Sequence, residues 1–136
     1  MAGTTLTNDG NDMSGPFWQA ARAHKLLLQF DRKTGRAQFY PRPQSLYSEH
    51  GTEWREACGR GKLLALTLSR VAPKALEHLA PYALGLVQLE EGPRLLARID
   101  APYESLRIGQ ALTLAWDDRT SGLAGAAPIY LFCPAV

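Results

Sequence analysis

In the second half of the chain, apolar and polar residues alternate with period two over several short stretches. Residues 62–70 place Leu64, Leu66 and Leu68 on one face, and residues 94–100 place Leu95, Ala97 and Ile99 inward. Residues 111–117 do the same with Leu112, Leu114 and Trp116, and residues 129–133 with Ile129, Leu131 and Cys133. Period two belongs to strands, where successive side chains point to opposite faces. Residues 83–89 predict a further strand that is apolar on both faces, followed by a Glu91-Gly92-Pro93 turn. The stretch APYESLRIGQ predicts one helical turn ending at Gly109. Five short strands in this order predict a small, partly open OB-type barrel, with a β-sandwich as the structural alternative.

The first half reads differently. Pro16 suits the first position of a helix, where its missing N–H is no loss, and Ser14 or Gly15 can cap it. Phe17, Ala20, Ala21 and His24 recur at helical spacing, with Trp18 and Arg22 as a second stripe. A hairpin follows: strands over 25–30 and 36–40 around a turn at 31–35, with Gly35 at its end. Pro41 and Pro43 stop the second strand, and 52–57 predicts a third. The expected organisation is a flexible polar lead over 1–15, a helix and hairpin region over 16–58, and the barrel over 59–136.

Composition narrows the classes. The 136 residues are 46% hydrophobic and 21% charged, as in ordinary globular proteins, and the net charge of +2 is too weak to imply nucleic acid. No apolar run approaches the ~20 residues of a membrane span. The opening MAGTTLTNDGNDMSG lacks the basic and apolar regions of a signal peptide. Cys58 and Cys133 share no motif and read as reduced thiols, so a cytoplasmic protein is expected.

Catalytic chemistry finds little to stand on. His24, His50 and His78 are dispersed, and Ser14 and Ser69 have no triad context. Cys58 adjoins Gly59-Arg60-Gly61, where a cation could lower its pKa, but a small strand-end residue is the better reading. Gly59-Arg60-Gly61-Lys62 is too short for a phosphate loop and precedes a strand; its glycines suit a bend between hairpin region and barrel. Arg60 and Lys62, with Arg94 and Arg98 on one strand face, are candidates for the phosphates of coenzyme A, against the plainer reading of solvated outer charge. Single-stranded nucleic acid would call for aromatics on the second and third barrel strands. Those strands have none, and Tyr82 and Tyr103 lie only at their outer ends.

The order FWQAARAHKLLLQ, GRAQFYPRP, EWREACGRGKLLALT, PYALGLVQLEEGPRLLARI, RIGQALTLAW and PIYLFCPA resembles the acyl-CoA-associated OB-fold family that carries an N-terminal rubredoxin-like zinc ribbon. The resemblance runs from about Pro16 to Pro134. It implies four cysteine ligands at Asp31, Thr34, Ser45 and Ser48, while Gly35, Tyr40-Pro41-Arg42 and Trp54 keep the pattern. Hydroxyls are poor zinc ligands, and neither His24, Glu49 nor His50 falls in a ligand position. A ribbon without zinc is therefore expected. Phe30, Phe39, Tyr40, Tyr47 and Trp54 would hold it by packing, and Thr34, Ser45 and Ser48 would cap turns.

The same resemblance implies a non-catalytic accessory or scaffold subunit of a thiolase-like or related acyl-CoA enzyme. It would assemble a homo- or hetero-oligomeric complex or shape an acyl-CoA channel, with acyl-CoA as a shared ligand. Phe17, Trp18, Arg22, Phe39 and Tyr40 are then the candidate partner contacts. The alternatives are a stand-alone OB-fold module for acyl-CoA or single-stranded nucleic acid, and a hydratase or thioesterase using Cys58.

Overall fold

The computed structural model describes residues 15–71, 79–117 and 128–135. The expected polar lead therefore lies outside the described residues except for Gly15, as do Ser14, His78 and most of the VAPKALEHLAP stretch. In chain order the elements are helix α1 (Gly15–Ala21) and strands β1 (Leu27–Asp31), β2 (Ala37–Gln38), β3 (Thr52–Glu56) and β4 (Arg60–Ser69). They continue with β5 (Tyr82–Leu89), β6 (Arg94–Ile99), a 3-10 turn (Tyr103–Ser105), β7 (Ala111–Asp117) and β8 (Ile129–Pro134). Two compact units result, one running to Cys58 and taking in Glu91–Pro93, the other comprising Gly59–Glu90 and the chain from Arg94.

In the first unit, α1 buries Phe17 and Ala21, which lie one turn apart. The helix stops where His24 takes a left-handed conformation (φ 59°). The Lys25 N–H then donates to the Ala20 carbonyl at 3.0 Å, and the His24 N–H to Ala21 at 2.9 Å. These two bonds satisfy carbonyls that the helix end would otherwise orphan. Strand β1 is the centre of an antiparallel sheet ordered β2-β1-β3. Its register pairs Gln29 with Gln38 on one side and with Trp54 on the other. Strand β2 is shorter than the sequence pattern predicts. Phe39 leaves the ladder and packs 5.7 Å from the Phe17 ring.

In the second unit the strands close into a barrel ordered β4-β5-β6-β8-β7, an OB-fold; the β-sandwich alternative falls away. Leu63, Val87, Leu89, Leu95, Ile99, Leu112 and Phe132 fill its core with almost no solvent exposure. Each such side chain contributes roughly 1.5–3 kcal/mol of burial.

Three details depart from the period-two reading. A bulge between Leu63 and Ala65 shifts the β4–β5 register. Leu63 therefore faces Val87, while Leu66 and Leu68 face Gly85 and Ala83, and Leu64 falls at the irregularity. The extra residue breaks the alternation midway along the strand, so Leu63 joins Leu66 and Leu68 on one face, while Leu64, Leu66 and Leu68 stay less exposed than Ala65 and Thr67 between them. In β8, Phe132 is fully buried while Ile129 is exposed, because alternation alone does not reveal which face other parts of the chain cover. The helical turn expected to end at Gly109 is the shorter 3-10 turn.

Gly59 has a left-handed conformation (φ 84°), which suits a change of chain direction. Gly61 serves close packing instead, since a Cβ there would stand 2.7 Å from Val87 Cγ1.

Candidate functional site

The most organised polar cluster among the described residues centres on Asp31, at the end of β1. The side chain is buried, with 1% of its surface exposed. The chain turns back immediately, as the Gly35 N–H donates to the Asp31 carbonyl at 2.9 Å and Gly35 supplies the left-handed residue (φ 73°). Asp31 Oδ1 accepts the backbone N–H groups of Lys33 at 2.8 Å and Thr34 at 2.7 Å. Asp31 Oδ2 accepts the hydroxyls of Ser45 at 2.5 Å and Ser48 at 2.6 Å. The hydroxyls also cap turns as expected: Thr34 accepts from the Arg36 N–H, Ser45 from Tyr47 and Ser48 from His50. Burial alone would raise the Asp31 pKa. The bonds from Ser45, Ser48, Thr34 and Lys33 outweigh it and hold the carboxyl well below the usual aspartate value.

A second layer lies beside it. Gln29 and Gln38 are both buried. Gln29 donates through Nε2 to the Arg42 carbonyl at 2.9 Å, and its Oε1 accepts from the Arg42 N–H at 2.8 Å. Gln38 donates to the Gln44 carbonyl at 3.1 Å and accepts from the Leu46 N–H at 2.9 Å. Two side chains thereby satisfy the backbone of the proline-containing segment after β2, which has no ladder of its own. The sequence reading missed both. The available signal was a glutamine inside each of two short apolar strands, LLLQF and AQF.

Zinc does not fit this cluster. Structural zinc takes thiolate and imidazole ligands, whereas positions 31, 34, 45 and 48 offer one carboxylate and three hydroxyls. The carboxylate oxygens are already engaged by four donors. Calcium would need about 6–8 oxygens. His24, Glu49 and His50 are exposed and add nothing, and no group of three or more His, Cys, Asp or Glu among the described residues forms a metal cage.

The expected partner contacts are brought together in part. Phe17 stacks edge-on against Trp18 at 4.9 Å, and Phe39 lies 4.3 Å from Tyr40. Phe17, however, is only 4% exposed, so it serves the interior of its own unit and is not a docking anchor. Trp18 and Phe39 are half-buried, and Arg22 and Tyr40 are exposed, Tyr40 at 60%. In the same unit a cavity of about 200 Å³ is lined by Arg36, Gln38, Phe39, Leu46, Tyr47 and Glu91, among others. The Arg36 guanidinium sits 4.0 Å over the Tyr47 ring.

The four coenzyme A candidates separate. Arg60 Nε bonds Glu90 at 2.6 Å, with both side chains exposed. Arg98 is 13% exposed and pairs at 3.1 Å with Asp117, itself 6% exposed. Arg98 is thus committed to the barrel and not to a phosphate. Lys62 and Arg94 are exposed and lie in one row across the sheet, with Gln88 between them. Two strand spacings put them about 9–10 Å apart. Cys58 is exposed, and its N–H donates to Glu91 Oε2 at 2.6 Å; Cys133 is half-buried.

Residues 54–117 match the family model described as the C-terminal OB-fold domain of ChsH2. A DUF35 domain-containing scaffold protein of Pyrococcus furiosus is 31% identical over 100 residues, covering 72% of this chain and 74% of that protein. The chain belongs to the DUF35 family. Another DUF35 domain-containing scaffold protein, from Methanocaldococcus jannaschii, is 39% identical over 61 residues, 43% of each protein. Among solved structures, a chain of the Ltp2-ChsH2(DUF35) aldolase matches with a TM-score of 0.76 at 24% identity, covering 93% of this chain and 97% of that one. A DUF35 protein of unknown function from Sulfolobus solfataricus matches with a TM-score of 0.61 at 11% identity, over 95% and 90%. These structural likenesses establish a DUF35 fold, in whose first unit this chain places the buried Asp31 carboxylate against the Ser45 and Ser48 hydroxyls.

Proposed function

We propose that this protein is a non-catalytic scaffold or accessory subunit of an acyl-CoA-processing enzyme complex, working in the cytoplasm beside a thiolase-like or aldolase-type partner. The observation that carries the reading is membership of a family whose curated relatives are named scaffold proteins. The name of one structural neighbour, which pairs a DUF35 protein with Ltp2 as an aldolase, supports it further. The chemistry agrees. The best-ordered polar cluster directs the Asp31 carboxylate and the two serine hydroxyls toward holding turns together, and not toward a substrate. On this reading Trp18, Arg22 and Tyr40 meet the partner. Lys62 and Arg94 are the two of the four candidate cations that would lie along an acyl-CoA passage.

Affinity capture of the tagged chain from its native host tests the proposal. The expected result is stoichiometric recovery of a thiolase-like or aldolase-type enzyme whose turnover of acyl-CoA substrate falls when the chain is withdrawn. Hydration of enoyl-CoA or hydrolysis of acyl-CoA by the purified chain alone would reject the non-catalytic role. So would tight binding of acyl-CoA or an oligonucleotide with no enzyme recovered.

A further inference from the structure

The side chains at positions 31, 34, 45 and 48 come from two separate turns, and three of them meet directly. Ser45 and Ser48 reach Asp31 across 14 and 17 residues of chain. Thr34 contributes its backbone N–H to the same carboxylate and its hydroxyl to the Arg36 N–H. A bound metal would join two such turns by presenting a cation to electron-pair donors. Here the polarity is reversed, since an anion at the centre gathers two hydroxyls and two backbone N–H groups. All four donors meet an ionised carboxylate, so each bond is charge-assisted.

We propose that the Asp31 carboxylate is a metal-free clasp: it occupies the role of a four-ligand metal centre and closes the first unit by hydrogen bonding alone. The clasp also aims neighbouring side chains. The N–H of Arg36 is held by Thr34 and that of Tyr47 by Ser45, and these two residues stack at the cavity. This chain would be indifferent to chelators and to thiol oxidants there.

The purified full-length chain decides the matter first. Metal analysis is expected to find far less than one zinc per chain, and the thermal midpoint is expected to be the same with and without EDTA. Stoichiometric zinc whose removal lowers the midpoint would overturn the proposal. Coupling supplies the second measurement. Ser45→Ala and Ser48→Ala should each lower the midpoint clearly in the Asp31 chain, and by less than half as much in an Asp31→Asn background. Equal shifts in both backgrounds would show that the serines act independently of the carboxylate, and would refute the clasp. The converse exchange, Asp31→Cys with Thr34→Cys, Ser45→Cys and Ser48→Cys, should produce a chain that folds with bound zinc and gives tetrahedral absorption bands with cobalt. A four-cysteine chain whose folding is indifferent to either metal would mean that the four positions do not converge as a metal centre does.

Discussion

Gln29 and Gln38 face each other across the β1–β2 ladder, and the Gln38 amide donates to Gln29 Oε1 at 2.9 Å. Between them they bond the backbone of Arg42, Gln44 and Leu46. Replacing Gln29 by Leu keeps the apolar volume and strands the Arg42 N–H and carbonyl. The expected loss is roughly 0.5–1.5 kcal/mol for each of the two part-buried bonds removed. Urea unfolding measures it, and an unchanged midpoint would show that water takes over both bonds.

The clasp has an acid signature. Because the Asp31 pKa is lowered in the folded state, the unfolded chain takes up its proton first as pH falls. Its contribution is therefore complete above the ordinary aspartate value of about 3.9 and is lost as pH drops through the folded value. The stability gap between the wild type and Asp31→Asn should be level between about pH 5 and about pH 7, and should narrow below about pH 4. Denaturant midpoints across that range check it; a gap independent of pH would contradict the depressed pKa.

On the face of β6 opposite Leu95, Ala97 and Ile99, Arg98 forms a pair with Asp117 that is largely out of solvent. Removing one partner leaves the other charge uncompensated, so Arg98→Met should cost roughly 3–5 kcal/mol. The double change Arg98→Met with Asp117→Leu should recover most of that loss, because the remaining charge also goes. A double variant as unstable as the single one would show that the pair does more than neutralise charge.

Gly85 is the tightest point of the β4–β5 packing. A Cβ there would lie 2.6 Å from Leu63 Cδ1 and 3.1 Å from Ile99 Cγ1. Gly85→Ala should destabilise the barrel by roughly 1–3 kcal/mol through overpacking. Leu63→Val in the same chain should return part of it by shortening the clashing side chain. Thermal unfolding of the three variants separates strain from a general loss of the strand.

The aromatic residues of the first unit should divide by burial. Phe17→Ala is expected to cost roughly 3–5 kcal/mol, as for a buried ring. Tyr40→Ala should leave the melting temperature within a degree or two of the wild type and weaken partner capture. Loss of stability in the Tyr40 variant, or unimpaired capture, would remove Tyr40 from the docking surface.

Sequence by itself was sufficient for the order of the barrel strands and for the inward face of β6. The predicted 111–117 strand coincides with β7, and Leu95, Ala97 and Ile99 are all buried as alternation requires. It also singled out positions 31, 34, 45 and 48, though through a resemblance and not through any local pattern. Only the tertiary structure decided what those positions do, since the Asp31 carboxylate meets hydroxyls from a turn well along the chain. The β4 bulge, the burial of Phe17 against Phe39 and the pairing of Arg98 with an aspartate 19 residues away share that character. Periodicity reports which face of an element is apolar, a property of neighbours in sequence. Which donor meets which acceptor depends on how distant segments are brought together, and no local spacing encodes it.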